Sequence, residues 1–142
     1  MKDPFRLQRF VDAQGPIYAQ VLRELRAGRK ASHWMWFVFP QMRGLGRTPT
    51  AHYYGISSLA EARAYLAHPV LGPRLEECVR LVLACEGRTA ERIFGFPDVL
   101  KLRSCLTLFQ AVAPDPQIYT EAMARYYGGE PDPLTLECLA EA

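Results

Sequence analysis

Apolar positions recur at helical spacing along most of this chain, and nowhere does a polar/apolar alternation run beyond four residues. The spacing therefore predicts helices and no sheet. The strongest signal is 98–113, "DVLKLRSCLTLFQAVA", closed by Pro114. At about 100° per residue, Val99, Leu102, Cys105, Leu106, Leu108, Phe109 and Val112 share one broad arc, with Arg103 and Gln110 opposite. In "PRLEECVRLVLACEG", Leu75, Cys78, Val79 and Val82 repeat at helical spacing, and Gly87 is a stop. "LAEARAYLAH" follows a capping box of Ser58 with Glu61 and ends at Pro69. Three Asp-Pro pairs, at Asp3, Asp115 and Asp132, each read as an N-cap with proline at the first helical position. The first leads a helix from Phe5 to about Gln14; a second, "IYAQVLRELRAG", stops at Gly28. "TAERIFG" is a short helical turn, and "QIYTEAMARYYGG" and "PLTLECLAEA" close the chain. The pattern predicts an all-α, single domain over 1–142: an irregular orthogonal bundle of about six to eight short helices joined at Pro and Gly.

One stretch breaks the amphipathic rule. In "SHWMWFVFPQ", Trp34 to Phe39 are all large and apolar. Ser32 caps about two helical turns here, and Pro40 pushes Phe39 out of the α region. A segment apolar on every side is buried all round. Its ends differ. Arg29, Lys30 and His33 bring cationic groups to the rim of the aromatic run, and Gln41 follows Pro40. Two readings stand: a rim for an anionic ligand, or cations at a helix C-terminus.

Composition narrows the class without naming a chemistry. The 142 residues are 49% hydrophobic and 23% charged, and mean hydropathy is -0.10, so one real core is within reach. Net charge is only +2, with 17 basic residues against 15 acidic, too balanced for a nucleic-acid partner. Cys78, Cys85, Cys105 and Cys138 form no C-x-x-C pair and no Cys/His cluster, so neither a metal nor a cofactor is expected. "MKDPFRLQRF" carries no signal-peptide apolar core and no run approaches about 18 apolar residues. The expected setting is cytoplasmic, with reduced thiols, a monomer and no membrane.

Lys101 lies inside the apolar arc of 98–113, with Ser104 and Thr107 running from its edge. Lysine is almost never buried alone, so it either snorkels or meets a carboxylate or an anion. "MRGLGRTPTAHYYG" sets Gly44 and Gly46 between Arg43 and Arg47, but no strand precedes it, and it reads as a plain loop. His52 and His68 read as structural, and Tyr53 and Tyr54 as packing.

"GRKASHWMWFVFPQ", "EARAYLAHPVLGPRL" and "DVLKLRSCLTLF" together resemble an uncharacterised bacterial family. It is a domain of unknown function of the mycobacterial conserved hypothetical type, often labelled calpastatin. The resemblance implies a compact all-α fold with no assigned activity. The family pattern often has Ser-Ser-Met-Thr-Leu-Phe where this chain has Ser104 to Phe109, which argues against an essential side chain at 105. The calpastatin label does not fit: calpastatins are disordered and aromatic-poor, whereas 11% of this chain is aromatic. The residues point to a pocket between 32–41 and the 98–113 helix for a small anionic metabolite, nucleotide-like or phosphorylated. Lys30 and Lys101 would hold its charge, Trp34 or Trp36 would stack, and Gln41, Ser104 and Thr107 would orient it. His33 is the candidate catalytic residue, as proton donor or acceptor. The alternative is a non-catalytic interaction module using the aromatic segment.

Overall fold

The computed structural model describes residues 3–141; positions 1, 2 and 142 of the expected domain lie outside them. Among the described residues the chain is helical, with one isolated parallel bridge between Met42 and Ile56. In order come α1 (Gln8–Gln14), α2 (Tyr18–Arg26), α3 (Met35–Val38), α4 (Pro49–Tyr54) and α5 (Leu59–Ala67). They are followed by α6 (Leu71–Leu83), α7 (Ala90–Phe94), α8 (Asp98–Val112), α9 (Gln117–Tyr127) and α10 (Pro133–Glu141), with a 3-10 turn at Gly15–Ile17. Seven of these have seven residues or more, and α3, α4 and α7 are shorter turns between them. None is long and apolar enough to cross a membrane.

The strongest sequence signal becomes the centre of the molecule. α8 packs against α5, α7, α9 and α10, so its buried set exceeds one stripe: Leu102, Cys105, Leu106, Leu108 and Phe109 are enclosed, and Ser104 and Thr107 with them. A helix apolar nearly all round is a core helix. Aromatic edges extend the core outward: Tyr65 meets Phe10 edge-on at 5.1 Å and Phe109 at 5.4 Å, and Phe39 meets Phe94 edge-on at 5.6 Å. Each such pair adds roughly 0.5–1.5 kcal/mol to the burial itself. Burial pushes the Cys78 thiol up to about 12 and the Cys105 thiol well above its ordinary range, so both are packing groups.

The caps depart from the sequence reading in instructive ways. Asp132 does cap α10, accepting from the Thr135 N–H (3.0 Å) and hydroxyl. Asp115 accepts from the Gln117 N–H (3.1 Å), the bond expected of an N-cap, although α9 itself begins at Gln117, one position later than expected. Asp3 is displaced furthest: α1 begins at Gln8, and the Asp3 carboxylate reaches across a turn to the N–H groups of Leu7 and Gln8 (2.8 and 3.0 Å). Ser58 caps α5 through the Glu61 N–H (3.1 Å). The return bond of the expected box is made to Ser57, whose N–H and hydroxyl both donate to Glu61. His68 is structural, as expected: its Nδ1 accepts from the N–H groups of Val70 and Leu71 (3.1 and 3.2 Å) at the start of α6.

α5 and α6 approach closely at Gly72, where an added Cβ would lie 2.1 Å from the Leu66 carbonyl oxygen. Gly72→Ala is therefore expected to cost about 1–3 kcal/mol, read as a lower urea midpoint at unchanged slope. An unchanged midpoint would show that the two helices can part at no cost.

Candidate functional site

The segment carrying Lys30 and His33 is a loop whose course is set by one buried carboxylate. Gly28, at φ +70°, ends α2 in the left-handed region, and the Lys30 N–H donates to the Ile93 carbonyl (2.7 Å), tying the loop to α7. Glu24, on the last turn of α2, draws residues 31–34 around itself. It accepts from the Ala31 N–H (2.7 Å), the Ser32 N–H (2.9 Å) and hydroxyl (2.7 Å), and the Trp34 indole N–H (2.9 Å). The Gln20 amide supplies a fifth bond. Burial alone would raise the Glu24 carboxyl, but these donors outweigh it and hold its pKa at about 2.

This network corrects the expectation at Ser32. Its hydroxyl is engaged by Glu24, α3 has no side-chain cap, and the apolar run makes a single turn instead of two. Trp34 is fully buried, with its indole N–H on Glu24 and its ring 6.1 Å from Phe39. It supports the site from beneath and cannot stack on a ligand. Trp36, two positions on, is half-buried.

Lys30, His33, Trp36 and Lys101 do come together. With Phe96 and Asp98 they line an open cleft of about 420 Å³ between the 30–36 segment and the start of α8. Asp98 is the residue the sequence reading missed, and it explains how two lysines are held. One carboxylate oxygen lies 2.8 Å from Lys30 Nζ, and the other 3.5 Å from Lys101 Nζ. Its place in the first turn of α8 favours a negative charge. Lys30 is committed: its side chain is 7% exposed, also donates to the Ser32 carbonyl, and lies 5.1 Å from the Trp34 ring centroid. Lys101 is less so, 23% exposed and resting 5.0 Å over the Trp36 ring. Two ammonium groups against one carboxylate leave the cleft with one positive charge in excess. Phe96 is 74% exposed on its rim, and the His33 imidazole is exposed.

Three expected ligand contacts fall elsewhere. Ser104 is buried under α10, donating to the Leu100 carbonyl and to Asp132 (3.0 Å). Thr107 donates to the Arg103 carbonyl and accepts the Asp132 N–H (2.9 Å). These hydroxyls join α8 to α10 and do not line the cleft. Gln41 lines a second, much smaller pocket of about 10 Å³, on whose wall the Trp36–Lys101 pair also stands. The i−3 spacing of Asp98 from Lys101 was a usable signal; the cross-chain reach of Glu24 had none. No cluster of three metal-ligating side chains occurs among the described residues.

Residues 4–139 match the family model described as "Protein of unknown function (DUF1810)". Among solved structures the chain is similar to the conserved hypothetical protein Rv1873 from Mycobacterium tuberculosis. The two are 58% identical over 97% of this chain and 99% of that one, with a TM-score of 0.96. No curated protein matches the chain.

Proposed function

This chain belongs to the DUF1810 family of proteins of unknown function, and from that premise we propose that its cleft binds a small anionic metabolite, nucleotide-like or phosphorylated. The observation that carries the reading is Lys101: an ammonium group over an indole face, only loosely paired at 3.5 Å, at the mouth of an aromatic cleft. An incoming phosphoryl oxygen would take up Lys101, while Asp98 keeps Lys30. A base or other ring would stack against the half-buried Trp36, with the exposed Phe96 on the rim of the same cleft. His33 reaches the same space and would be the group to give or take a proton if the bound molecule reacts. The proposed setting is the cytoplasm, as a monomer, without membrane or nucleic acid.

Calorimetric titration of the full chain with nucleoside monophosphates and sugar phosphates tests this. Lys101→Ala is expected to weaken the best ligand at least about tenfold, or 1.4 kcal/mol, and Trp36→Leu to do likewise, without loss of fold. Binding that is indifferent to Lys101 would sink the reading. A second reading rests on the exposure of Phe96 (74%) and Leu100 (51%) beside the cleft. These offer apolar anchors to a protein partner, and a cleft that binds no member of the panel would favour it.

A further inference from the structure

A separate depression, of about 370 Å³, lies between the N-terminal turn, the end of α4 and the start of α5. Arg6, Arg9, Arg43 and His52 line it, with the exposed Tyr53 ring on its edge and Glu61 as the only carboxylate among its lining groups. We propose that it is a phosphate-monoester site, in which the guanidinium groups of Arg6 and Arg43 grip the phosphoryl oxygens.

Arg9 forms the base of the depression, with its side chain buried and fully used. It pairs with Glu61 at 2.8 Å and donates to the carbonyls of Phe5, Arg6, Tyr53 and Gly55. Those carbonyls belong to both walls, so one guanidinium fixes the two sides relative to each other. Glu61 is likewise taken, by Arg9 and by both donors of Ser57. The Arg9–Glu61 pair is therefore neutral and closed, and the remaining charge of the depression is that of Arg6 and Arg43.

Both of these arginines are held at the backbone and open at the tip. Arg6 sits at φ +54°, the one non-glycine residue in the left-handed region among those described. The turn is held by its N–H on the Asp3 carbonyl (3.1 Å) and by the Asp3 carboxylate beyond it. Arg43 is fixed by its N–H on the Ile56 carbonyl (2.8 Å) and by a close approach at Gly55, where a Cβ would lie 2.6 Å from Arg43 Cα. Its Nε donates to the His52 carbonyl (3.1 Å), and its two terminal amino groups make no hydrogen bond among the described residues, in an exposed side chain. Arg6 makes only a long 3.5 Å bond to the Tyr53 hydroxyl and lies 5.5 Å over that ring. Neither arginine has an ion-pair partner among the described residues. Planar guanidinium forks on a pre-set frame match a phosphoryl group, which presents several oxygens to both at once. An exposed tyrosine at the edge suits an aromatic ester.

Calorimetric titration of the full chain at low ionic strength, with inorganic phosphate and with phenyl phosphate, decides the matter. Saturable binding in roughly the millimolar range or tighter is expected, weakened about tenfold by Arg43→Gln and by Arg6→Gln, each at an exposed side chain. The same titrations in the Lys101→Ala background, which removes the anion hold of the other cleft, should still show this binding and its loss with Arg43→Gln. Tighter binding of phenyl phosphate assigns the site to an aromatic ester; equal affinity assigns it to the free anion. Absence of saturable binding by either probe, or equal affinity in the Arg43→Gln and wild-type proteins, overturns the proposal.

Discussion

Glu24→Ala is expected to destabilise the protein by about 3–5 kcal/mol, measured as the shift in denaturant midpoint. Five donors converge on this carboxylate. A lost bond to a charged acceptor costs roughly 1.5–3 kcal/mol, and a buried donor left without an acceptor about 1–3. Water can reach Ala31 and Ser32, which are not enclosed, but it cannot reach the Trp34 indole. Glu24→Gln should be much milder, near 1 kcal/mol. A single amide oxygen can keep Ala31, Ser32 and Trp34, while Gln20 and the Ser32 hydroxyl can turn to suit an amide nitrogen. The contrast between the two variants isolates hydrogen bonding from packing.

The same residue sets an acid limit. Its folded pKa of about 2 lies below its ordinary value of 4.5. A depressed carboxyl contributes stability that is fully present above its unfolded value and is lost as pH falls through the folded one. Between pH 5 and about 2 the wild type should lose roughly 3 kcal/mol through this group, at about 1.36 kcal/mol per unit. Glu24→Gln should show a correspondingly flatter profile. Parallel profiles for the two proteins would show that Glu24 is not what gathers the loop. In Glu24→Ala that loop should also release Lys30 and His33, so ligand affinity at the cleft is expected to fall along with stability.

The second large effect belongs to Arg9→Ala, at about 3–5 kcal/mol. The substitution strands Glu61 as a buried charge and takes the side-chain donor from the carbonyls of Phe5, Tyr53 and Gly55. Removing both partners should cost 1–3 kcal/mol less than the sum of the single losses, because the stranded charge disappears with Glu61. Full additivity in the double-mutant cycle would show that the two side chains do not sense each other. Neither double nor single variant should recover wild-type stability, since the carbonyls of Phe5, Tyr53 and Gly55 lose their side-chain donor in both, while the Arg6 carbonyl keeps the backbone N–H of residue 9.

The limits of what the sequence could reveal are set by how far each bond reaches. α8 was legible almost to the residue, 98–113 against Asp98–Val112, because its periodicity is a property of the segment itself. So was the Ser58 cap, which spans three residues. Lys101 was legible as an anomaly, a cation on an apolar arc, and its partner Asp98 stood only three positions away. The hidden features involve distance along the chain. Glu24 meets Trp34 across a loop, Ser104 meets Asp132 across 28 positions, and Arg9 meets Glu61 across 52. A hydroxyl destined for a neighbouring helix looks the same in the sequence as one destined for a ligand. Ser104 and Thr107 therefore read as cleft residues, and Glu24 reads as one more charge on a helix.

Trp34 and Trp36 stand two residues apart in unlike surroundings, one enclosed on Glu24 and the other half-open beneath Lys101. The molecule thereby carries two intrinsic optical probes with separate assignments. Emission from the enclosed indole is expected to be blue-edged and to respond to loss of the core. Emission from the half-buried one is expected to lie further to the red and to be more sensitive to collisional quenchers and to a neighbour stacked on its face. With Trp34 replaced by phenylalanine, the remaining fluorescence would follow occupancy of the cleft. With Trp36 replaced instead, it would follow unfolding, so one spectrometer could report both events without an added dye.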